Sequence, residues 1–586
     1  MRNYLYRFDL NFLLAVTFLW ASASYATDYY VDVTAGNNRN SGLLPDDAFE
    51  NLSYALKQLA PGDTLSLRSG TYNETVYLTS SQHNHGTSTS PITVKSYPGE
   101  TPVIGNNDAA VGIMDLKWWV FEDLTFEKSK PLVFGRRDTG LLPEDAQCTA
   151  TAENITLRGV RFQHGSEPEG IIITCGSRIT IENSLFDNLR TRTAGQDAFG
   201  ILFAYQADNI LISGSHFRDI GAGGIHFLDT TGSRYMNIDI VDNEFEIVRP
   251  YRYRDENGTV IPEGVRPFEN VGENGIAIKN GPGPIMIANN RFHGFRPTLA
   301  GQDATGAIGE AFVILNRASG ITVRENHFSD NTIHLNIGRG NNAELRPDRS
   351  LSIFNNIFEK AADPGIYGNQ IPSGIRLNGA NNVDILDNTF VNQSGHQGWL
   401  LQLVETSNVQ LKNNAFQNGI VALNTDKIDS LSADHNAWAS VTGNTWTGEM
   451  YPEILGTNDI VTNNLGVDPT TWEPLASSPL IDAGTAVGIT EDFYYASISG
   501  AGPDIGAVEY RNLDTELPSD MITEAGSDAA VTGTAQVSSG TAYLSDEAGG
   551  GCTVNPAVKL DPVWLFLLMA SVLGIGWRRY QLDNPK

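Results

Sequence analysis

The chain has 586 residues, with 39 basic against 68 acidic side chains and a net charge of −29 at pH 7. That balance argues against a nucleic-acid partner, because neutralising phosphates takes an excess of Lys and Arg. Hydrophobic residues at 41% exclude a disordered chain, and three cysteines exclude a disulfide-stapled scaffold.

Residues 1–26 have the order of a secretory signal peptide: Arg2 and Arg7, an apolar run from Phe12 to Trp20, then Ser24-Tyr25-Ala26 as a cleavage site. Residues 27–110 read as an N-terminal cap with the first coils of a repeat. Tyr29-Tyr30-Val31-Asp32-Val33 forms a strand, and Phe49, Leu52, Leu56 and Leu59 recur at helical spacing before Pro61-Gly62-Asp63. An amphipathic helix there covers the open end of a solenoid, whose bare strand edges otherwise invite aggregation. A further strand is expected over Asp63–Leu67, followed by Gly70-Thr71-Tyr72-Asn73-Glu74.

Residues 111–440 form the repeat itself. Asn-x-Phe recurs as Asn243-Glu244-Phe245, Asn290-Arg291-Phe292, Asn326-His327-Phe328, Asn356-Ile357-Phe358, Asn388-Thr389-Phe390 and Asn414-Ala415-Phe416, with looser copies ending at Phe126, Phe162, Phe186 and Phe217. From Phe162 to Phe416 the separations are 24, 31, 28, 47, 36, 30, 32 and 26 residues. An alternating strand such as Ile321-Thr322-Val323-Arg324 precedes each Phe, and a second such as Gly374-Ile375-Arg376-Leu377 usually follows a polar turn. Strand, turn, strand, turn at this period predicts an all-β, single-stranded, right-handed parallel β-helix. Stacked coils share one core, and turn asparagines adopt left-handed backbone and ladder their amides from coil to coil. The unequal gaps are loop insertions.

Residues 441–510 make a closing segment around Ser478-Pro479-Leu480-Ile481-Asp482-Ala483-Gly484 and Gly502-Pro503-Asp504-Ile505-Gly506-Ala507. Residues 511–550, rich in Ser, Thr, Gly, Ala and acids, have the composition of a flexible tether. In residues 551–586, an apolar run from Pro562 to Trp577 precedes Arg578-Arg579, with Trp564 and Trp577 at its ends. Together with Gly549-Gly550-Gly551-Cys552, this tail resembles the GlyGly-CTERM type of bacterial sorting signal. The resemblance implies export, anchoring by a C-terminal transmembrane helix, cleavage by a rhombosortase-like protease, and delivery to the cell surface or medium. A permanent single-pass anchor is the alternative.

Aligning the second strand of each coil places His226, Ala277, His334 and Arg376 in one outward column, with a slip of one residue open at His334. Glu273 and Lys279 fall on the same face as Ala277. The stretch 249–296 carries seven basic against five acidic residues and the longest insertion, with Tyr251, Tyr253 and Phe268 in it. Cations and rings together suit an anionic sugar chain, so His226, Arg291, His334, Arg376, Tyr251 and Tyr253 are candidate substrate contacts. Cys148 and Cys175, 27 residues apart, sit near one coil period and can stack as a disulfide in an exported protein.

Glu273-Asn274-Gly275-Ile276-Ala277-Ile278-Lys279-Asn280 and Asn289-Asn290-Arg291-Phe292-His293-Gly294-Phe295-Arg296 resemble the catalytic coils of β-helix polysaccharide lyases, the chondroitinase B and alginate lyase family. The resemblance implies Lys279 as base, Arg296 as a second cation, and Glu273 as a Ca2+ ligand, with Glu310 a weaker one. Calcium would neutralise a uronate carboxylate and ease removal of the C5 proton. The pattern departs where Ala277 stands in place of a second acid. Signatures of mannuronan epimerases and polygalacturonases are absent, and no carboxylate pair for hydrolysis stands out. Two functions follow for a chain read as a monomer: a lyase of anionic polysaccharide, or a non-catalytic surface adhesin on the same scaffold.

Overall fold

The computed structural model describes residues 26–105, 111–127, 129–138, 147–164, 169–189, 197–229, 232–248, 273–281, 283–295, 309–338, 350–360, 373–392, 398–423, 428–445 and 455–511. The signal peptide, the tether, the sorting tail with Cys552, and Tyr251, Tyr253 and Arg296 lie outside these residues. Among the described residues, no helix is long and apolar enough to cross a membrane.

Each coil carries three strands where the sequence pattern distinguished two. One coil runs Gly223–Phe227, Arg234–Val241 and Glu244–Glu246; the next runs Asn274–Gly281, Ile285–Ala288 and Arg291–His293. Every strand pairs in parallel with its counterpart one coil on, as in Ile225 with Ile276, Ile238 with Ile285 and Phe245 with Phe292. The first two faces share one sheet because strands such as Glu169–Glu182 and Phe199–Ser213 bend from one into the other. The third strand, only three or four residues long in most coils, is the Asn-x-Phe unit itself and builds a separate sheet.

Two side-chain columns hold the coils in register. Phe126, Phe162, Phe186, Phe217, Phe245, Phe292, Phe328, Phe358, Phe390 and Phe416 stack nearly parallel, with centroids 4.6–5.2 Å apart, and Trp438 ends the column. That spacing matches the strand separation of a sheet, so each ring covers the next without strain. The second column is a buried amide ladder of Asn243, Asn290, Asn326, Asn356, Asn388, Asn414 and Asn436. Asn356 Oδ1 accepts from both the backbone N–H and Nδ2 of Asn326, at 3.0 Å each. Its own Nδ2 donates to the carbonyls of Val323 and Phe354.

The expected roles of asparagine are divided between neighbours. Left-handed backbone belongs to the residue before each ladder asparagine: Asp242, Asn289, Glu325, Asn355, Asp387, Asn413 and His435, with φ between 49° and 60°. The turn therefore needs one residue that tolerates positive φ and a second whose amide bonds both ways.

At the N-terminal end the expected helix is short, Leu52–Ala55 followed by a tight turn Leu56–Gln58. Leu52, Ala55, Leu56 and Leu59 are buried in the same core as the coils. The closing segment lies along the third sheet rather than across the end of the stack. Leu465, Leu480 and Ile505 cover Ala415 and Ala437, while Trp472 and Ala507 cover Ile357 and Val391. Backbone N–H groups of Gly506 and Ala507 donate to the Asn413 carbonyl and Thr389 Oγ1. Cys148 and Cys175 form the expected disulfide, with Cα atoms 5.9 Å apart.

The ladder makes a direct prediction. Asn356→Ala strands the Asn326 donors in an apolar interior, and each unsatisfied buried group costs about 1–3 kcal/mol. Denaturant unfolding should show a loss of about 3 kcal/mol or more. Asn289→Gly, at a left-handed corner with an exposed side-chain bond to Asp242, should cost less than about 1 kcal/mol. Equal losses would remove the ladder from its role.

Candidate functional site

On the first face, one outward column runs Leu202, His226, Ala277, Val313, Asn336, Arg376 and Gln402. Three residues earlier on each strand lies a flanking column: Phe199, Gly223, Asn274, Glu310, Ile333, Ser373 and Trp399. Strict alternation fails between the two columns. Gly275 faces the core beside Phe292, and Ile276 is itself fully buried, so two successive residues turn inward.

That irregularity relocates His334. Leu335 pairs with Ile375 and Asn336 with Arg376, so the open slip of one residue is real. His334 takes the inward corner that glycine holds in neighbouring coils. It is 0% exposed and lies 6.1 and 6.0 Å from the rings of Phe328 and Phe358. It is a core residue, not a substrate contact, and Asn336 holds the outward position expected of it. Burial drives its pKa well below the ordinary histidine value.

Arg291 is also displaced. It stands on the third sheet, 3.8 Å from Glu244, in register with Phe-flanking residues rather than with Lys279. Glu310 pairs with Asn274, next to the position of Glu273 one coil on, and its backbone N–H donates to the Glu273 carbonyl at 3.2 Å.

The remaining candidates do come together. Glu273 is pushed up to about 7, first by burial, then by the charges of Asp197 and Glu310, against the opposing charge of Lys279. Glu310 is also raised, by burial, while its carboxylate accepts from Asn336 Nδ2. Arg376 donates from Nε to Ser373 Oγ at 2.9 Å, and its guanidinium lies 5.4 Å from the centre of the Trp399 ring. His226 is 5% exposed, its ring 4.3 Å from that of Phe199. Its pKa is lowered to about 3, by burial and then by Lys279. The arrangement offers a carboxylic acid that can hold a proton at neutral pH, an amine beside it, and a cation on an aromatic platform further along the groove.

Sequence reasoning missed Asp197, Asn336, Ser373, Trp399 and Lys360. Trp399 was within reach, since Trp399-Leu400-Leu401-Gln402 repeats the spacing of Ser373-Gly374-Ile375-Arg376. Lys360 was not. It follows Glu359 on the third sheet, is 1% exposed, and donates to the Trp399 carbonyl at 3.3 Å. Burial lowers its pKa far below the ordinary lysine value, and the Arg376 charge adds to this.

Among the described residues, the single set of three or more His, Cys, Asp or Glu side chains with ligand atoms within 4.8 Å of one another is Glu244, Glu246 and His293, on the third sheet; Glu273 and Glu310 belong to no such set.

These coils define a parallel β-helix whose first face carries Glu273, Lys279, Glu310 and Arg376. The family description of a right handed beta helix region matches residues 146–260 and 266–437. No curated protein matches the chain. Among solved structures, the complex of XylC with xylose shares 12% identity over 83% of this chain and 99% of that one, with a TM-score of 0.46. The PL6 family polysaccharide lyase Pedsa3628 from Pseudopedobacter saltans shares 14% over 78% and 98%, TM-score 0.40. The pectate lyase Pel9A shares 16% over 83% and 96%, TM-score 0.37.

The buried imidazole yields a signed prediction. His226 stays neutral in the folded chain down to about pH 3, while an unfolded histidine takes a proton near pH 6.5. The unfolded state then binds more protons, so stability is greatest above pH 6.5 and falls below it by about 1.4 kcal/mol per unit. His226→Gln should remove about 2 kcal/mol of the difference in unfolding free energy between pH 7 and pH 5. An unchanged pH slope would show His226 solvated and titrating normally.

Proposed function

We propose that the first face binds an acidic polysaccharide and cleaves it by β-elimination. The observation that carries this reading is Arg376 held over Trp399 on the same face as Glu273, Lys279 and Glu310. A guanidinium is suited to a uronate carboxylate, and an aromatic ring to the apolar face of a pyranose.

The chemistry assigns a role to each group. Lys279 is the base that removes the proton at C5 of the uronate. The C–H electron pair becomes the C4–C5 double bond, and the glycosidic oxygen at C4 departs. Glu273, pushed up to about 7, retains a proton at neutral pH and supplies it to that oxygen. Arg376 neutralises the carboxylate whose charge otherwise opposes loss of the neighbouring proton.

A second reading, hydrolysis, draws on the same raised carboxyl, since Glu273 stands in the field of two further acids, Glu310 and Asp197. In that case Glu273 protonates the leaving oxygen and one of the other carboxylates activates water.

Products separate the two. Purified protein incubated with pectate, alginate and chondroitin should generate the ultraviolet absorbance of unsaturated uronate on at least one polymer, with and without chelator. Lys279→Ala should lower turnover by about 10²–10⁴-fold with the fold intact. Arg376→Ala should lower kcat/KM by at least about tenfold, which corresponds to about 1.4 kcal/mol. Turnover should decline above pH 7 as Glu273 loses its proton, and Glu273→Gln should remove that limb. New reducing ends without absorbance would replace elimination by hydrolysis. Retention of a glycan with no new ends at all would leave a binding solenoid.

A further inference from the structure

The third sheet carries a cluster that the groove does not use. His216, Glu244 and Arg291 lie in register on three successive coils, on one side of the Phe column. Arg218, Glu246 and His293 lie in register on the other side. Both glutamates come from the single strand Glu244–Glu246, and a histidine reaches them from the coil before and from the coil after.

Both imidazoles present Nε2 to both carboxylates. His216 Nε2 lies 2.9 Å from Glu246 and 3.8 Å from Glu244; His293 Nε2 lies 3.2 Å from Glu246 and 3.3 Å from Glu244. Glu244, Glu246 and His293 have their ligand atoms within 4.8 Å of one another. His216 Nε2 is shielded from solvent and makes no aligned hydrogen bond despite its closeness to Glu246.

We infer that Glu244, Glu246 and His293, with His216 beside them, form a binding site for a divalent transition metal of the zinc type. Zinc binds imidazole nitrogen and carboxylate oxygen at about 2.0–2.2 Å, and atoms at the corners of a tetrahedron of that size stand about 3.3–3.6 Å apart. His293 Nε2 stands 3.3 Å from Oε1 of Glu244 and 3.2 Å from Oε2 of Glu246, close to that value, while His216 approaches the other oxygen of each carboxylate. An imidazole with two carboxylates selects a borderline cation over the hard, all-oxygen preference of calcium or magnesium.

The surroundings set the limits of the site. His216 and Glu244 also line a cavity of about 460 Å3, together with Asp242, Glu325 and His327. A metal held there would face that space on its open side. Arg291, 57% exposed and 3.8 Å from Glu244, is the competing cation and is free to swing away. His327 is engaged by Glu359 at 3.1 Å, which makes it the natural control.

The test uses untagged, chelator-stripped protein titrated with Zn2+ by calorimetry and by competition with a chromophoric chelator, at pH 7.5. One equivalent should bind at micromolar or tighter affinity, the melting temperature should rise, and Ca2+ at the same concentration should do neither. His293→Ala and Glu246→Gln should each weaken binding at least tenfold, while His327→Ala should not. Far-UV circular dichroism of each variant separates loss of the site from loss of the fold. Absence of a stoichiometric site, or equal binding by His293→Ala, would falsify the assignment. Uronate cleavage by the groove is read separately, so neither result decides the other.

Discussion

One constraint organises the molecule: every coil must place an amide where the coils on either side can bond to it. An asparagine side chain has an acceptor and two donors, and each buried ladder residue uses all of them, toward the next coil, the previous coil and its own turn. Neither Asp nor Leu reproduces that valence inside a core. The residue before it must accept a left-handed backbone, and the phenylalanine two residues after it stacks at the repeat distance of a sheet. Three neighbouring residues thus fix a turn, a vertical register and a core column.

That economy explains why the architecture was legible from residues alone. Asn-x-Phe has no freedom to drift, because a ladder asparagine displaced by one residue loses its partners on both sides. The first face has no comparable lock. Its strands carry glycine, alanine, histidine or leucine at the inward corner, at Gly224, Gly275, Ala311, His334, Gly374 and Leu400, and two successive inward residues break the alternation. Period-two counting therefore misplaced His334 by one position. Arg291 was misplaced for another reason: it belongs to the third strand of its coil, which the sequence pattern had merged with the turn.

Protonation on the first face follows burial more than pairing. Glu273 and Glu310 rise and His226 falls chiefly because the charged form of each is poorly solvated there. Burial lowers the pKa values of Lys360 and His334 in the same way. A chain with net charge −29 thus carries Arg376 on the same wall as two acids whose ionisation burial opposes.

The solenoid also keeps its chemistries apart. Each coil gives one strand to each face, so Lys279 and His293 belong to the same coil yet stand on different walls, separated by the buried phenylalanine column. Side chains on one wall gather neighbours from adjacent coils, about 4.8 Å away, rather than from their own coil. Glu244 and Glu246 therefore meet His216 and His293 from the coils before and after, and Arg376 meets Trp399 from the coil that follows. Sites on this scaffold are read down the stack, along columns whose members lie about thirty residues apart in sequence. Substitutions on separate walls should act independently, since they share neither partners nor a common strand edge.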